Sequence, residues 1–280
     1  MKRYDTLFNS LKEKSEGGFI PFVLLGDPNP EVSERIIETL IESGADALEL
    51  GVPFSDPIAD GPTIQAAHVR ALDARVSVAD AFGIIRKVRD RHPDLPIGLL
   101  IYSNVAVVHG LERFYDEVRA TGADSVLLPD VPVRESEPFT AAAKAAGVSP
   151  IYIAPPHASS ETLEGVAHSS EGYIYAISRD GVTGTERASE TTDLHEVVSN
   201  LQAYGGAPVV LGFGISTPQH VTDAIAAGAS AAISGSAITK IIERHVKGSH
   251  PTPRTVNDEG AMLDELANFT REMKAATRAV

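Results

Sequence analysis

The 280-residue chain contains no cysteine. That excludes a disulfide framework, a thiolate nucleophile and any cysteine-ligated zinc or iron–sulfur site, and leaves the chemistry to oxygen and nitrogen groups. There is no run of about 18 apolar residues that could span a bilayer, and Met1-Lys2-Arg3-Tyr4-Asp5 leads into a polar helix pattern instead of a signal-peptide core. No membrane contact is expected, and a cytoplasmic location is. Basic residues are scarce: 24 Lys and Arg against 38 Asp and Glu give a formal net charge of -14. Such a surface opposes nucleic-acid binding, which needs cations to displace counterions from phosphates. A bound phosphate would have to be held locally, by backbone amides or a helix terminus.

What is present is a globular composition, 43% hydrophobic with a mean hydropathy of -0.02. Short runs rich in Val, Ile and Leu alternate with longer helical patterns, the mark of βα units on a parallel sheet. Eight strands are expected, at 19–25, 46–50, 96–102, 125–129, 149–154, 172–177, 208–213 and 229–234. Amphipathic helices are expected at 33–43, 78–91, 111–121, 135–146, 160–167, 194–204, 218–227 and 236–245. No Gly/Ser linker interrupts the series, which favours one (β/α)8 TIM barrel domain over residues 1–280. An open doubly wound sheet fits less well, because the first βα turn, Gly26-Asp27-Pro28-Asn29-Pro30, lacks a G-x-G-x-x-G fingerprint. An extra N-terminal helix near 4–14 could plug the barrel bottom, and a polar loop at 247–259 precedes an extra C-terminal helix at 261–276.

Barrel active sites lie at the C-terminal ends of the strands, so polar residues there carry most weight. In Asp46-Ala47-Leu48-Glu49-Leu50 a period of two puts Ala47 and Glu49 on the inner face. A carboxyl there is partly desolvated, and desolvation moves its pKa toward neutrality, where one group can both give and take a proton. The plainer reading is an ion pair with an Arg from a neighbouring strand. The loop that follows, 51–64, is long and dense in Pro and acid. Within it Asp60 precedes Gly61-Pro62 and could simply be a helix N-cap. Segment 178–187 carries two glycines and reads either as a lid or as an ordinary exposed loop.

Two glycine-containing loops end the last strands: Gly212-Phe213-Gly214-Ile215-Ser216 and Ser234-Gly235-Ser236-Ala237-Ile238. Together they match the phosphate cradle that barrels build after strands seven and eight, with the helix from Ser236 aiming its amides and dipole at the anion. No Lys stands at a strand end to form a Schiff base, and the nine His are scattered, with no paired metal-ligand spacing. His68 and His92 read as ordinary helix residues. Phe22, Leu100, Tyr102, Leu127, Ile153, Tyr175 and Phe213 could wall a flat aromatic slot, although most are equally good core residues and for any single one core is the plainer reading.

The run Glu49-Leu50-Gly51-Val52-Pro53-Phe54-Ser55-Asp56-Pro57-Ile58-Ala59-Asp60-Gly61-Pro62 closely resembles the signature of tryptophan synthase α subunits. Pro21-Phe22-Val23, Gly26-Asp27-Pro28, Pro96-Ile97-Gly98-Leu99-Leu100, Asp130-Val131-Pro132, Ser178-Arg179, Gly181-Val182-Thr183-Gly184 and the two glycine loops extend the likeness from residue 1 to about 246. The resemblance implies cleavage of indole-3-glycerol phosphate to indole and glyceraldehyde 3-phosphate. Glu49 would be the proton shuttle and Asp60 the partner of the indole nitrogen. Gly184, Gly214, Gly235 and Ser236 would hold the phosphate, and Phe22, Leu100, Tyr102, Leu127, Ile153, Tyr175, Thr183 and Phe213 would contact substrate. It further implies an α2β2 assembly with a β subunit, met through Pro53, Asp56 and Pro132. Pyridoxal phosphate would belong to that partner, with no cofactor and no metal in this chain. The sequence departs from the family pattern at Pro129, where a small residue is expected, at Asp180, and in the long segment 247–259. Two other readings stay open: a phosphate-binding isomerase or epimerase, and a weakly catalytic allosteric binding subunit.

Overall fold

The computed structural model describes residues 2–108, 110–177 and 194–278. Nine parallel strands, β1 (Gly18–Leu24), β2 (Leu48–Gly51), β3 (Ile97–Leu100), β4 (Ser125–Leu127), β5 (Ser149–Ile151), β6 (Ile153–Ala154), β7 (Ile174–Ile177), β8 (Val209–Gly212) and β9 (Ala231–Ser234), make one sheet. Their order is β5-β4-β3-β2-β1-β9-β8-β7-β6. The strands at the two ends of that order, β5 and β6, are separated in the chain by Tyr152 alone, so the sheet curls into a nearly closed barrel. The expected fifth strand is thus two short ones. Tyr152 breaks it because its amide donates to the Ser170 hydroxyl at 3.3 Å, outside the ladder, while its own phenol lies 2.8 Å from the Thr140 hydroxyl.

Strand alternation sorts the apolar residues into two populations. Ile20, Phe22, Ala47, Leu127, Ile151, Tyr173, Tyr175, Val210 and Ile233 point inward and form the barrel's own core. Leu48, Leu50, Val23, Leu99 and Val126 point outward against the helices. The helix Arg3–Lys14 contributes Tyr4, Phe8 and Leu11 to the inner cluster, so it closes the barrel bottom as the sequence suggested.

Two helices lie outside the eight expected ones, Pro62–Asp73 and Ser103–Val107, the first of them where Asp60-Gly61-Pro62 read as a possible helix start. The first starts with Pro62 at its first position and Gly61 as N-cap, and buries Ile64, Ala67, His68 and Ala71, a clear helical stripe. The Pro-dense loop before it hides that stripe in the sequence. Near the C-terminus, Val246–Lys247 pairs antiparallel with Thr255–Val256, so the polar segment holds a short ladder. Its His250 and Arg254 reach Asp73 at 2.9 and 3.0 Å, tying it to the end of the helix Pro62–Asp73. The terminal helix Glu259–Ala276 buries Met262 and Leu266 against the outer core. Among the described residues no helix is long and apolar enough to cross a membrane.

Candidate active site

A cleft opens at the C-terminal end of the strands. It is lined by Phe22, Glu49, Asp60, Leu100, Tyr175, Phe213, Gly214, Gly235 and Ser236, all residues the sequence put forward, together with Ile64, Ile215 and Ile233. A second lobe shares Asp60, Leu100, Tyr175 and Phe213 with it and adds Leu127, Ile153, Pro129 and Pro132. Thr183 and Gly184, with the expected lid at 178–187 and Asp180, lie outside the described residues. Of the three residues expected to meet a partner, Pro53 is buried within the chain, whereas Asp56 and Pro132 are exposed.

Glu49 sits on β2 in register with Phe22 of β1 and Gly98 of β3 and is 1% exposed. Its partner is a phenol: Tyr173 Oη donates to Glu49 Oε1 at 2.9 Å. Burial pushes its carboxyl up to about 7; the Tyr173 hydrogen bond pulls the other way, and the nearby Asp60 charge adds to the rise. Near neutrality both its protonated and ionised forms are therefore populated.

Asp60 precedes the N-cap Gly61 and is 3% exposed. Tyr102 Oη donates to its Oδ2 at 2.8 Å, and His68 Nε2 stands 3.3 Å from the same oxygen. Tyr102 is thus directed at Asp60 and is not among the cleft-lining residues. Tyr175 keeps its proton, its pKa raised well above the usual phenol value chiefly by burial and further by the Glu49 and Asp60 charges. Sequence reasoning missed Tyr173 and His68. Alternation along Tyr173-Ile174-Tyr175 would have placed both tyrosines inside the barrel, and the stripe Ile64, Ala67, His68, Ala71 would have turned His68 inward.

The other end of the cleft is built of backbone. Phe213 and Gly214 both adopt positive φ, 64° and 76°, which turns the chain across the cleft mouth after β8. At Gly235 a side chain would not fit: a Cβ there would lie 2.9 Å from the Phe22 ring. The helix Ser236–His245 begins at this point, and its first amides have no partner within the helix itself. The Ser234 hydroxyl donates to the Ile215 carbonyl at 2.7 Å and fixes the two loops against each other. The arrangement offers buried carboxyls at one end, an apolar wall between, and amides with a helix dipole suited to a phosphate at the other. Neither lobe is lined by a lysine among the described residues.

Comparison with known proteins identifies the family. The family model for the tryptophan synthase alpha chain matches residues 8–278. The tryptophan synthase alpha chain of Corynebacterium diphtheriae is 62% identical over 278 residues, covering 99% of this chain and 100% of its own. That of Aliivibrio fischeri is 51% identical over 278 residues, covering 99% and 100%. Among solved structures, Mycobacterium tuberculosis tryptophan synthase superposes with a TM-score of 0.85 at 26% identity, covering 99% of this chain and 98% of its own. A chain of the Pyrococcus furiosus tryptophan synthase complex does so at 0.78 and 30% identity, covering 92% and 98%.

Proposed function

The chain belongs to the tryptophan synthase α-chain family, and on that premise we propose that its cleavage of indole-3-glycerol phosphate runs on Glu49 as proton shuttle and Asp60 as partner of the indole nitrogen. The protein is a carbon–carbon lyase of tryptophan biosynthesis. One observation carries the residue assignment: two buried carboxyls from different elements face one cleft, and one of them titrates near neutrality.

In the bound state the phosphate lies against the amides of Gly214, Gly235 and Ser236, and the indole lies between Phe22, Leu100 and Tyr175. Protonated Glu49 gives its proton to indole C3, and the resulting positive charge on the ring nitrogen is met by Asp60. Glu49, now a carboxylate, takes the proton from the side-chain hydroxyl on the carbon attached to C3. The C–C bond then breaks, its electron pair restores the aromatic ring, and indole and glyceraldehyde 3-phosphate leave. Glu49 ends as it began, so no net proton is consumed. A pKa near 7 suits a group that must act as acid and then as base.

The family implies a β-subunit partner, and relatives include a tryptophan synthase complex. We place that contact on the exposed top of the chain around Asp56 and Pro132, where Ile58 at 75%, Val107 at 48% and Val108 at 73% are exposed large hydrophobics. An α2β2 arrangement, with pyridoxal phosphate held by the β chain, fits this reading. The family's α chain itself needs no cofactor.

The test is indole release from indole-3-glycerol phosphate by the purified chain, alone and with a β subunit. Glu49→Gln keeps the shape and removes the shuttle, so a loss of about 10²-fold or more is expected, and Asp60→Asn is expected to lose activity too. Full activity in Glu49→Gln would remove the carboxyl from the mechanism.

A further inference from the structure

His68 lies on the helix Pro62–Asp73, 4% exposed, and connects two parts of the molecule that the chemistry above treats separately. Its Nδ1 accepts a hydrogen bond from the Phe54 amide at 3.0 Å, and its Nε2 faces Asp60 Oδ2 at 3.3 Å. A neutral imidazole has one donor and one acceptor nitrogen. Because a backbone N–H can only donate, Nδ1 must be the bare nitrogen, and the ring proton is placed on Nε2, the nitrogen that stands 3.3 Å from the carboxylate. The same logic holds on the other side: the Ala59 amide donates to Tyr102 Oη at 3.1 Å, so the phenol proton goes to Asp60 Oδ2. Two amides of the loop after β2 thus polarise two side chains toward one carboxylate oxygen.

The helix that carries His68 is itself anchored. Two residues on, Arg70 makes a bidentate pair with Asp27 at 2.7 and 2.8 Å, both side chains buried. The Tyr102 ring also meets the His68 ring edge-on, with centroids 6.4 Å apart. The imidazole is therefore held by packing as well as by its hydrogen bond from Phe54.

We propose that His68 is a positioning residue for the cleavage reaction: as the Nε2–H tautomer selected by the Phe54 amide, it sets the rotation of the Asp60 carboxylate toward the substrate's ring nitrogen. The inference rests on the role given to Asp60 above. His68 touches no substrate in this account and acts through Asp60 alone.

The two nitrogens can be replaced one at a time, since an Asn side chain reproduces an Nδ1 acceptor and a Gln side chain can place an amide N–H near the Nε2 position. His68→Gln is expected to keep turnover within about threefold of wild type, and His68→Asn to lose about tenfold in kcat with KM changed less than about threefold. Both variants should remain folded by circular dichroism. In an Asp60→Asn background the His68→Asn change is expected to have no further effect, because the carboxylate it orients is gone. Independently of activity, the imidazole nitrogen resonances of wild type labelled at histidine should show His68 neutral with its proton on Nε2.

Equal losses in the Gln and Asn variants, additive losses in the double variant, or an Nδ1–H tautomer would each overturn the proposal. If Asp60→Asn alone leaves the rate unchanged, it is the assignment of Asp60 that fails, and the role of His68 falls with it.

Discussion

The acids that line the cleft and the acids at the N-terminal end of the strands are used in opposite ways. At the N-terminal end Asp124 receives Arg3 and Arg89, each at 2.8 Å, and the Ile97 amide at 2.9 Å. Asp46 there receives Lys274 and the Phe19 amide, at 2.9 and 2.8 Å. At the C-terminal end Glu49 is met by a phenol, and Asp60 by a phenol and an imidazole. Arg and Lys are permanent cations, so below the barrel a carboxylate becomes a tie between elements: Asp124 binds the N-terminal helix and the helix Val78–Arg91 to the start of β3. A phenol supplies a hydrogen bond without a full charge, and it leaves burial free to raise the acid's pKa. The difference separates acids that hold the fold from acids that move protons.

Substitutions at the two ends should therefore have opposite signatures. The largest effect is expected from Glu49→Gln, which should lower indole release by about 10²-fold or more while leaving the fold intact. Its pH dependence has a definite sign. Glu49 is raised from 4.5 to about 7 in the folded chain, so the folded state binds this proton more tightly than the unfolded chain does. Wild type therefore loses stability as pH rises from about 4.5 to about 7, by up to about 3 kcal/mol, and Glu49→Gln should not. Thermal melts across that window should show the variant gaining on wild type, and a constant gap would contradict the pKa. For the same reason kcat/KM of wild type should fall as pH rises through about 7, where the acid loses its proton.

The inverse result is expected at the other end. Asp124→Asn strips two arginines of their shared partner, of which Arg89 is largely buried. Breaking such a pair costs about 3 kcal/mol, or a fall in Tm of roughly 5–10 °C. Indole release at a temperature where the variant stays folded should remain within about twofold of wild type, since the site lies at the opposite end of the strands. A large loss of kcat in a folded Asp124→Asn protein would erase the distinction between the two ends.

Much of this contrast was legible in the sequence, but unevenly. Alternation in Ala47-Leu48-Glu49 gave Glu49 its inward direction, and the two glycine loops gave the phosphate end of the cleft, because strand period and glycine placement are local properties. No such local pattern marks Asp46 or Asp124 as a tie between elements. Each aspartate side chain takes the amide of a residue 27 positions earlier, Phe19 or Ile97, at the start of a neighbouring strand. That bond depends on strand register, which the local pattern does not contain. Tyr173 and His68 escaped for a related reason: each matters through the carboxyl it faces, and the facing group comes from another element. The break at Tyr152 was hidden because its amide leaves the ladder for Ser170, a partner 18 residues away.

The finest test of the phenol's role is Tyr173→Phe. The aromatic ring stays, so its edge contact with Tyr4, at 5.3 Å between centroids, is kept and stability should change little. What is lost is the hydrogen bond from Oη to Glu49, which favours the ionised carboxylate and holds down a pKa that burial raises. Without it the Glu49 pKa should climb further, and the alkaline limb of kcat/KM should move up by roughly half to one pH unit. The plateau rate should fall only a few-fold, because the shuttle itself remains. An alkaline limb that stays in place would mean that Tyr173 merely packs beneath Glu49, and the contrast with Asp124 and Asp46 would then rest on their cationic partners and not on the phenol at Glu49.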